Sequence, residues 1–554
     1  MQFPFKQLAL VMVVTALAPA VFAQPKGINP VLLAKANRGD AVAERLVGLA
    51  YMKGQGVDWN YAEAATWFRK AAGHGDAWAQ FNLAVLYRDG MGVPQDKAMA
   101  AELYRNAANQ GLASAQYNLA LLYAHADGVP RDDALAAEWY RKAADQGFAA
   151  AQFNLGLACE NGRGVAADGA QALAWFQKSA AQGFAKAQLK LGLLYQEGKL
   201  VPRDEAQAAA WFRKSADQRD AGAQIDLGLL YLHGKGVAQD YDEAAKWFRK
   251  AADQGDPRGQ LNLGLRYRFG QGVAKDDAQA AVWFRKAADQ GLAQAQFNLG
   301  LLYDHGTGVA ADHARAAALY KQAADQGFAD AENNLGLHYQ EGNGVPADLA
   351  QAALWFRKAA DQGEAEAQFN LGRMAHLGQG VPSDDAQAVD LFRKAADKGY
   401  APAEQTLADM YENGSGVPQD YARAAEWYGK AAAQGIAMAQ FNLGVHYELG
   451  HGVKRDLKTA AEWYRKAAMQ GEVNAENNLG VLYLTGQGVK KDYAEAWFWL
   501  DVAARQYTGA RLEKTTNSRE MAAKKLSPDE LTKARERVQQ WLATHPQQSV
   551  PKAP

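Results

Sequence analysis

A valine recurs at Val57, Val93, Val129, Val165, Val201, Val237, Val273, Val309, Val345, Val381, Val417, Val453 and Val489, each 36 residues after the last. The interval never changes, so no copy of the unit around it carries an insertion or deletion. Self-similarity at such a period means that one supersecondary unit stacks on copies of itself, each burying its apolar face against its neighbours. That excludes a set of independent globular domains for most of the 554 residues.

Within the unit the spacing predicts two helices. The units run Asp40–Gly75, Asp76–Gly111 and on in equal steps to Glu472–Tyr507. In Asp76–Gly111, Ala79, Leu83, Leu86, Tyr87 and Gly90 share one helical face. Gly90-Met91-Gly92 ends that helix, because glycine accepts the left-handed φ of a helix C-terminus. Val93-Pro94 is an extended turn, and Asp96 caps a second helix. The same slot holds Asp in twelve units and Asn60 in the first. A side-chain oxygen there accepts from an orphan backbone N–H, worth about 1 kcal/mol per cap. Glu63, Gln171, Gln207, Glu243, Gln279, Gln351, Gln387 and Glu495 stand three residues later, which predicts capping boxes. A cap in every unit accounts for these aspartates without catalysis or metal binding. The second helix carries Trp67, Trp139, Trp175, Trp211, Trp247, Trp283, Trp355, Trp427, Trp463 and Trp499, with Leu103, Leu319 and Leu391 in the same slot elsewhere. Leucine substitutes for tryptophan where the role is apolar packing, so the slot is assigned to the core.

The pattern A-x-x-x-L-G-x-x-Y-x-x-G-x-G-V-x-x-D-x-x-x-A-x-x-W-x-x-x-A-A-x-x-x-G resembles the Sel1-like repeat, a relative of the tetratricopeptide repeat, over residues 40–507. Departures are single. Cys159 and Ala375 replace the first-helix tyrosine, Leu200 the second glycine and Arg219 the terminal glycine. The expected fold is all-α: a right-handed superhelical α-solenoid of thirteen tandem 36-residue helix-turn-helix repeats. Residues 24–39, with Asn29-Pro30 as a helix start, read as an N-terminal capping half-repeat. Ser527-Pro528-Asp529-Glu530 starts a helix in a C-terminal cap spanning 508–544, and 545–554 is predicted disordered.

Met1–Ala23 has the pattern of a secretory signal. Lys6 is followed by apolar Leu8–Ala18, and Val21 and Ala23 precede a cleavage site at Gln24. The apolar run is shorter than the roughly 20 residues of a spanning helix. The expectation is an exported protein, periplasmic or secreted, with no integral membrane segment after cleavage.

Composition narrows the partners. Lys+Arg is 60 and Asp+Glu 61, so no net field attracts nucleic acid. The ten histidines form no paired ligand motif, and a single cysteine builds neither a disulfide nor a Cys-rich zinc site. No cofactor is expected. G-x-G-V opens no βαβ unit, so it is no phosphate loop. Cys159 sits in a buried tyrosine slot and reads as an inert core thiol.

What remains for function is the arc of the first helix facing away from Leu83, at positions 78, 81, 82, 85 and 89. Slot 82 holds Asn82, Asn118, Asn154, Asn262, Asn298, Asn334, Asn370, Asn442 and Asn478, with Phe81, Tyr117, Phe153, Phe297, Phe369 or Phe441 beside it in six units. By resemblance to tetratricopeptide arrays, asparagines on a concave face would hold a peptide main chain, since an amide both donates and accepts. The alternative is that they bond a neighbouring helix or persist by unit duplication. Lys190, Asp226 and Thr406 break the slot. With Leu200, Arg219, Ala375 and Leu391 they mark zones near 190–226 and 375–406, predicted to be hinges or contact patches, with Lys190 and Asp226 as candidate contacts. The expected function is a non-catalytic exported scaffold for a protein or peptide ligand. The alternatives are a module for envelope polysaccharide or peptidoglycan, and an enzyme acting on a cell-wall or β-lactam substrate, for which no nucleophile–base pair stands out.

Overall fold

The structure, a computed structural model, describes residues 27–545. The expected signal at 1–23, residues 24–26 of the expected N-terminal cap, and 546–554 of the expected disordered tail lie outside the described residues. Among the described residues there are 29 helices and no strand. The chain divides into two compact units, one ending at Gln254 and one beginning at Gly255. In the first, the helix Pro30–Asn37 precedes six helix pairs, from Ala41–Lys53 with Tyr61–Gly73 to Ala221–His233 with Tyr241–Asp253. In the second, seven pairs run from Pro257–Phe269 with Asp277–Asp289 to Val473–Thr485 with Tyr493–Ala504. Two further helices follow, Gly509–Ala523 and Pro528–Thr544. Each unit is a solenoid-like array.

The pairs are antiparallel. Gln110 at the end of one second helix bonds Gln80 near the start of its first helix, at 2.8 Å. The second helix buries one stripe, such as Ala100, Ala101, Tyr104, Ala107 and Ala108, and exposes the rest. The first helix is covered on most sides: Ala79, Gln80 and Leu83 to Leu86 are all buried in one copy. Close approach needs small residues. A Cβ on Gly156 would lie 2.7 Å from the Phe176 ring of its partner helix.

The turn after the first helix makes the joint between repeats. Gly92 has φ +70°, and a Cβ there would lie 2.2 Å from the Tyr61 carbonyl carbon of the preceding repeat. Leu200 takes this slot once, at φ +65°. Space for it comes from Gly169, whose Cβ would lie 2.5 Å from a Leu200 methyl. Ala126 and Arg219 are the other non-glycine residues with positive φ among the described residues, at 57° and 66°. Through 190–226 and 375–406 each helix keeps 12 or 13 residues.

The caps form as expected and the boxes do not. Asp96 accepts from the Met99 N–H at 2.9 Å, and Asp168 from Gln171 likewise. The reciprocal half is missing at these second helices because the cap's own N–H is already taken. Asp168 N–H donates to the Cys159 carbonyl and Asp96 N–H to that of Tyr87, both at 2.9 Å. Gln171 bonds the Asp168 carboxylate instead. A full capping box is made at Ser527 with Glu530, where no earlier helix supplies that carbonyl.

The final two helices cover the last repeat. Val538 and Ala534 are buried beside Trp497, Phe498 and Trp499. Trp541 meets Trp499 edge-on at 5.5 Å, and His545, where the disordered tail was expected to begin, stacks on Trp541 at 3.8 Å.

Candidate functional site

The asparagine slot lies at the seam between repeats. Asn118, Asn298 and Asn370 are buried, and Asn82, Asn154, Asn262, Asn334, Asn442, Asn478, Lys190 and Asp226 are half-buried. Several spend their amide on their own helix. Asn118 donates to the Ser114 carbonyl, Asn262 to Arg258 and Asn298 to Gln294, at 2.7 to 2.8 Å. Others reach the preceding repeat: Asn154 bonds the Tyr140 hydroxyl, Asn334 that of Tyr320 and Asn478 that of Tyr464. Asn370 donates to Asn333 at 3.1 Å. Lys190 pairs across the same seam with Glu160 at 2.8 Å. The bond to a neighbouring helix, one of the two readings of this slot, is therefore made in several repeats.

The aromatic slot beside it is packing. Phe81 meets Tyr104 at 5.6 Å, Phe153 meets Phe176 at 5.8 Å, and Phe369 meets Phe392 at 5.6 Å. Tyr117 is buried against Phe148 and Tyr140, and burial pushes its hydroxyl up to about 12 despite a hydrogen bond with Asn154. Slot 85 is buried at Val85 and half-buried in most other repeats, with Arg373 exposed. A projection of one helix leaves this arc open; neighbouring repeats on both sides narrow it.

The last residue of the first helix, slot 89, stays in solvent. It changes from repeat to repeat: Lys53, Asp89, His125, Asn161, Glu197, His233, Phe269, His305, Glu341, Leu377, Asn413, Leu449 and Thr485. In the second compact unit Phe269, Leu377 and Leu449 are 60%, 53% and 54% exposed. A constant scaffold thus presents a variable row that includes large apolar side chains.

Three side-chain relays escaped the sequence reading. In the first, Gln80 Nε2 donates to the Ala72 carbonyl of the preceding repeat while its Oε1 accepts from Gln110. The same relay recurs at Gln116, Gln152, Gln188 and Gln440. In the second, Arg105 donates to the Tyr123 hydroxyl of the next repeat at 2.8 Å, and Arg393 to Tyr411 at 2.9 Å. In the third, a lysine three residues after the core tryptophan covers its ring, as Lys250 on Trp247 at 3.6 Å and Lys430 on Trp427 at 3.5 Å. The signal for each was a copied polar residue at fixed distance from a copied partner.

Titratable groups cluster where first-helix ends meet second-helix tyrosines. Asp304 bonds His313 at 2.7 Å and His338 at 3.1 Å; burial raises its carboxyl, but the two histidines outweigh this and the net shift is downward. Tyr428 lies 2.5 Å from Asp409 and 2.6 Å from Glu412. One hydroxyl proton cannot serve two carboxylates, and burial raises Asp409. Cys159 is buried, and burial pushes its thiol up, which opposes nucleophilic character. Among the described residues no group of three or more His, Cys, Asp or Glu is placed to hold a metal ion, and no helix is long and apolar enough to cross a membrane.

The Sel1 repeat model matches thirteen times: at 41–76, at 79–112, in consecutive blocks from 113–148 to 437–472, and at 473–507. A protective antigen of uropathogenic Escherichia coli strains, itself displaying this repeat fold, is similar at 36% identity and TM-score 0.68, covering 81% of this chain and 96% of that one. A Sel1 repeat protein from Oxalobacter formigenes is similar at 39% identity and TM-score 0.45, covering 55% and 87%. No curated protein matches the chain. Proteins with this repeat are generally interaction scaffolds. Thirteen repeats in register and a relative matched over most of both lengths establish that the chain belongs to the Sel1 repeat family.

Proposed function

We propose that the protein is a non-catalytic, exported scaffold that binds a protein or peptide partner along the ends of its first helices. The observation that carries this reading is the contrast within each repeat. Core, cap and seam slots repeat, whereas slot 89 is exposed and varied, with Phe269, Leu377 and Leu449 standing in solvent. Exposed apolar side chains in a row of changing chemistry suit recognition of a polypeptide. The asparagines contribute through the seam, by fixing the pitch at which successive slots follow one another.

The test is affinity capture from envelope extract with the mature chain and with Phe269→Ser/Leu377→Ser/Leu449→Ser, identified by mass spectrometry. These residues are exposed, so the variant should melt like the parent. The expected result is a defined polypeptide recovered by the parent and lost from the variant. Equal recovery by both, or recovery of glycan without polypeptide, would refute the reading. Glycan stacking needs exposed rings, and the rings of the Phe81 slot are packed against neighbours. Export rests on the Met1–Ala23 pattern. N-terminal sequencing of protein from cell fractions should find Gln24 first, outside the cytoplasm; a retained Met1 would overturn it.

A further inference from the structure

The final repeat departs from the array at one charged slot. Arg69, Arg105, Arg213, Arg285, Arg393 and Arg465 occupy this second-helix position in other repeats, and Asp501 occupies it in the last. Asp501 is 4% exposed and forms the floor of a cavity of about 300 Å³ between the helices Tyr493–Ala504, Gly509–Ala523 and Pro528–Thr544. Arg505 donates to its Oδ2 at 3.0 Å and Arg519 to its Oδ1 at 2.8 Å. Arg519 also bonds Glu520 at 3.0 Å, while its Nε is buried with no hydrogen-bond partner. Arg535 lines the same cavity from the last helix and is in no ion pair among the described residues. Three guanidinium groups thus face two carboxylates. One positive charge is left over, that of exposed Arg535, beside the orphaned Nε of Arg519, a buried donor that is costly unless an acceptor shares the space.

The walls set the rest of the ligand. Trp497, Leu531 and Val538 line the cavity together with the charged groups. We infer that this cavity binds a small monocarboxylate with an apolar side chain, of the kind presented by the C-terminal residue of a peptide. A carboxylate matches the single excess charge and the planar fork of a guanidinium. A phosphate would bring a second negative charge and leave the apolar walls unused. The inference does not rest on the reading of the first-helix ends.

Isothermal titration of the full chain with N-acetyl-leucine tests it, with N-acetyl-leucinamide and inorganic phosphate as comparisons. The acid should bind saturably within roughly 10 mM, as fits a ligand of its size, and the amide should not. Arg535→Gln should weaken binding about tenfold or more without changing the melt, because Arg535 is exposed and outside the Asp501 pairs. Glu520→Gln, which frees a donor of Arg519, should tighten binding. Absence of saturable heat, equal binding of the amide, tighter binding of phosphate, or no change in either variant would overturn the inference.

Discussion

Four repeats carry glutamate where the relay is built for glutamine, at Glu44, Glu332, Glu404 and Glu476, and at Glu332 and Glu404 this makes the seam sensitive to pH. Gln440 shows the complete arrangement: it accepts from Gln470 at 2.9 Å and donates to the Ala432 carbonyl at 3.0 Å. Glu404 and Glu332 keep the accepting half, from Gln434 at 2.8 Å and Gln362 at 2.7 Å. An ionised carboxylate cannot donate the second bond, to the carbonyl eight residues earlier. Both groups are buried, and burial pushes both carboxyls above their ordinary value even though the glutamine partners pull the other way. Glu404→Gln restores one buried hydrogen bond, about 1 kcal/mol. Glu332→Gln lies two repeats away, so the pair should add to about 2 kcal/mol. The folded carboxyls titrate above their unfolded value. The penalty in the parent is therefore full above the folded pKa and fades as pH falls toward about 4.3, where the protonated acid donates as an amide does. Repeat arrays unfold in parts, so hydrogen exchange over 396–434, beside a urea midpoint, is the local readout. The double variant should be more protected at pH 8, with the gap closing by pH 4.5. No gain at pH 8, or a gap that widens on acidification, would refute the reasoning.

Three further outcomes follow from the seams. Gly169→Asp should destabilise by about 1 kcal/mol through its clash with Leu200, and Leu200→Gly should remove that cost; a double-mutant cycle in urea without coupling would refute the pairing. Arg219→Gly should stabilise by about 1 kcal/mol by relieving a positive φ, read as a raised denaturation midpoint. Lys190→Glu should cost about 2 kcal/mol in the same assay, because it sets a like charge against half-buried Glu160.

Much of the architecture was legible because the signals were local. Asp96 announces a helix start, Gly90 a helix end, and Leu83 a buried centre, each readable within a few residues. The relays were not, because a buried glutamine looks like a surface one until its partner, thirty residues on, is seen to share its seam. The burial of the candidate site was hidden in the same way. A helical projection treats Asn118 or Asn298 as outward because it contains one helix, and burial at these positions comes from the repeats before and after. Leu200 was visible as an oddity, but its accommodation by Gly169 in the preceding repeat was not. Ala126 passed unnoticed because alanine is unremarkable until its φ is known.

The contact of Gly92 with the backbone at Tyr61 also bears on how such a chain changes over generations. One residue inserted in that turn would move the glycine off its neighbour and shift the glutamine relay out of reach in the same step. Adding or removing an entire repeat disturbs neither, since every seam is rebuilt from the same parts. Small insertions and deletions should therefore be lost by selection while whole-unit gains and losses pass, so the length of this protein drifts in steps of one repeat.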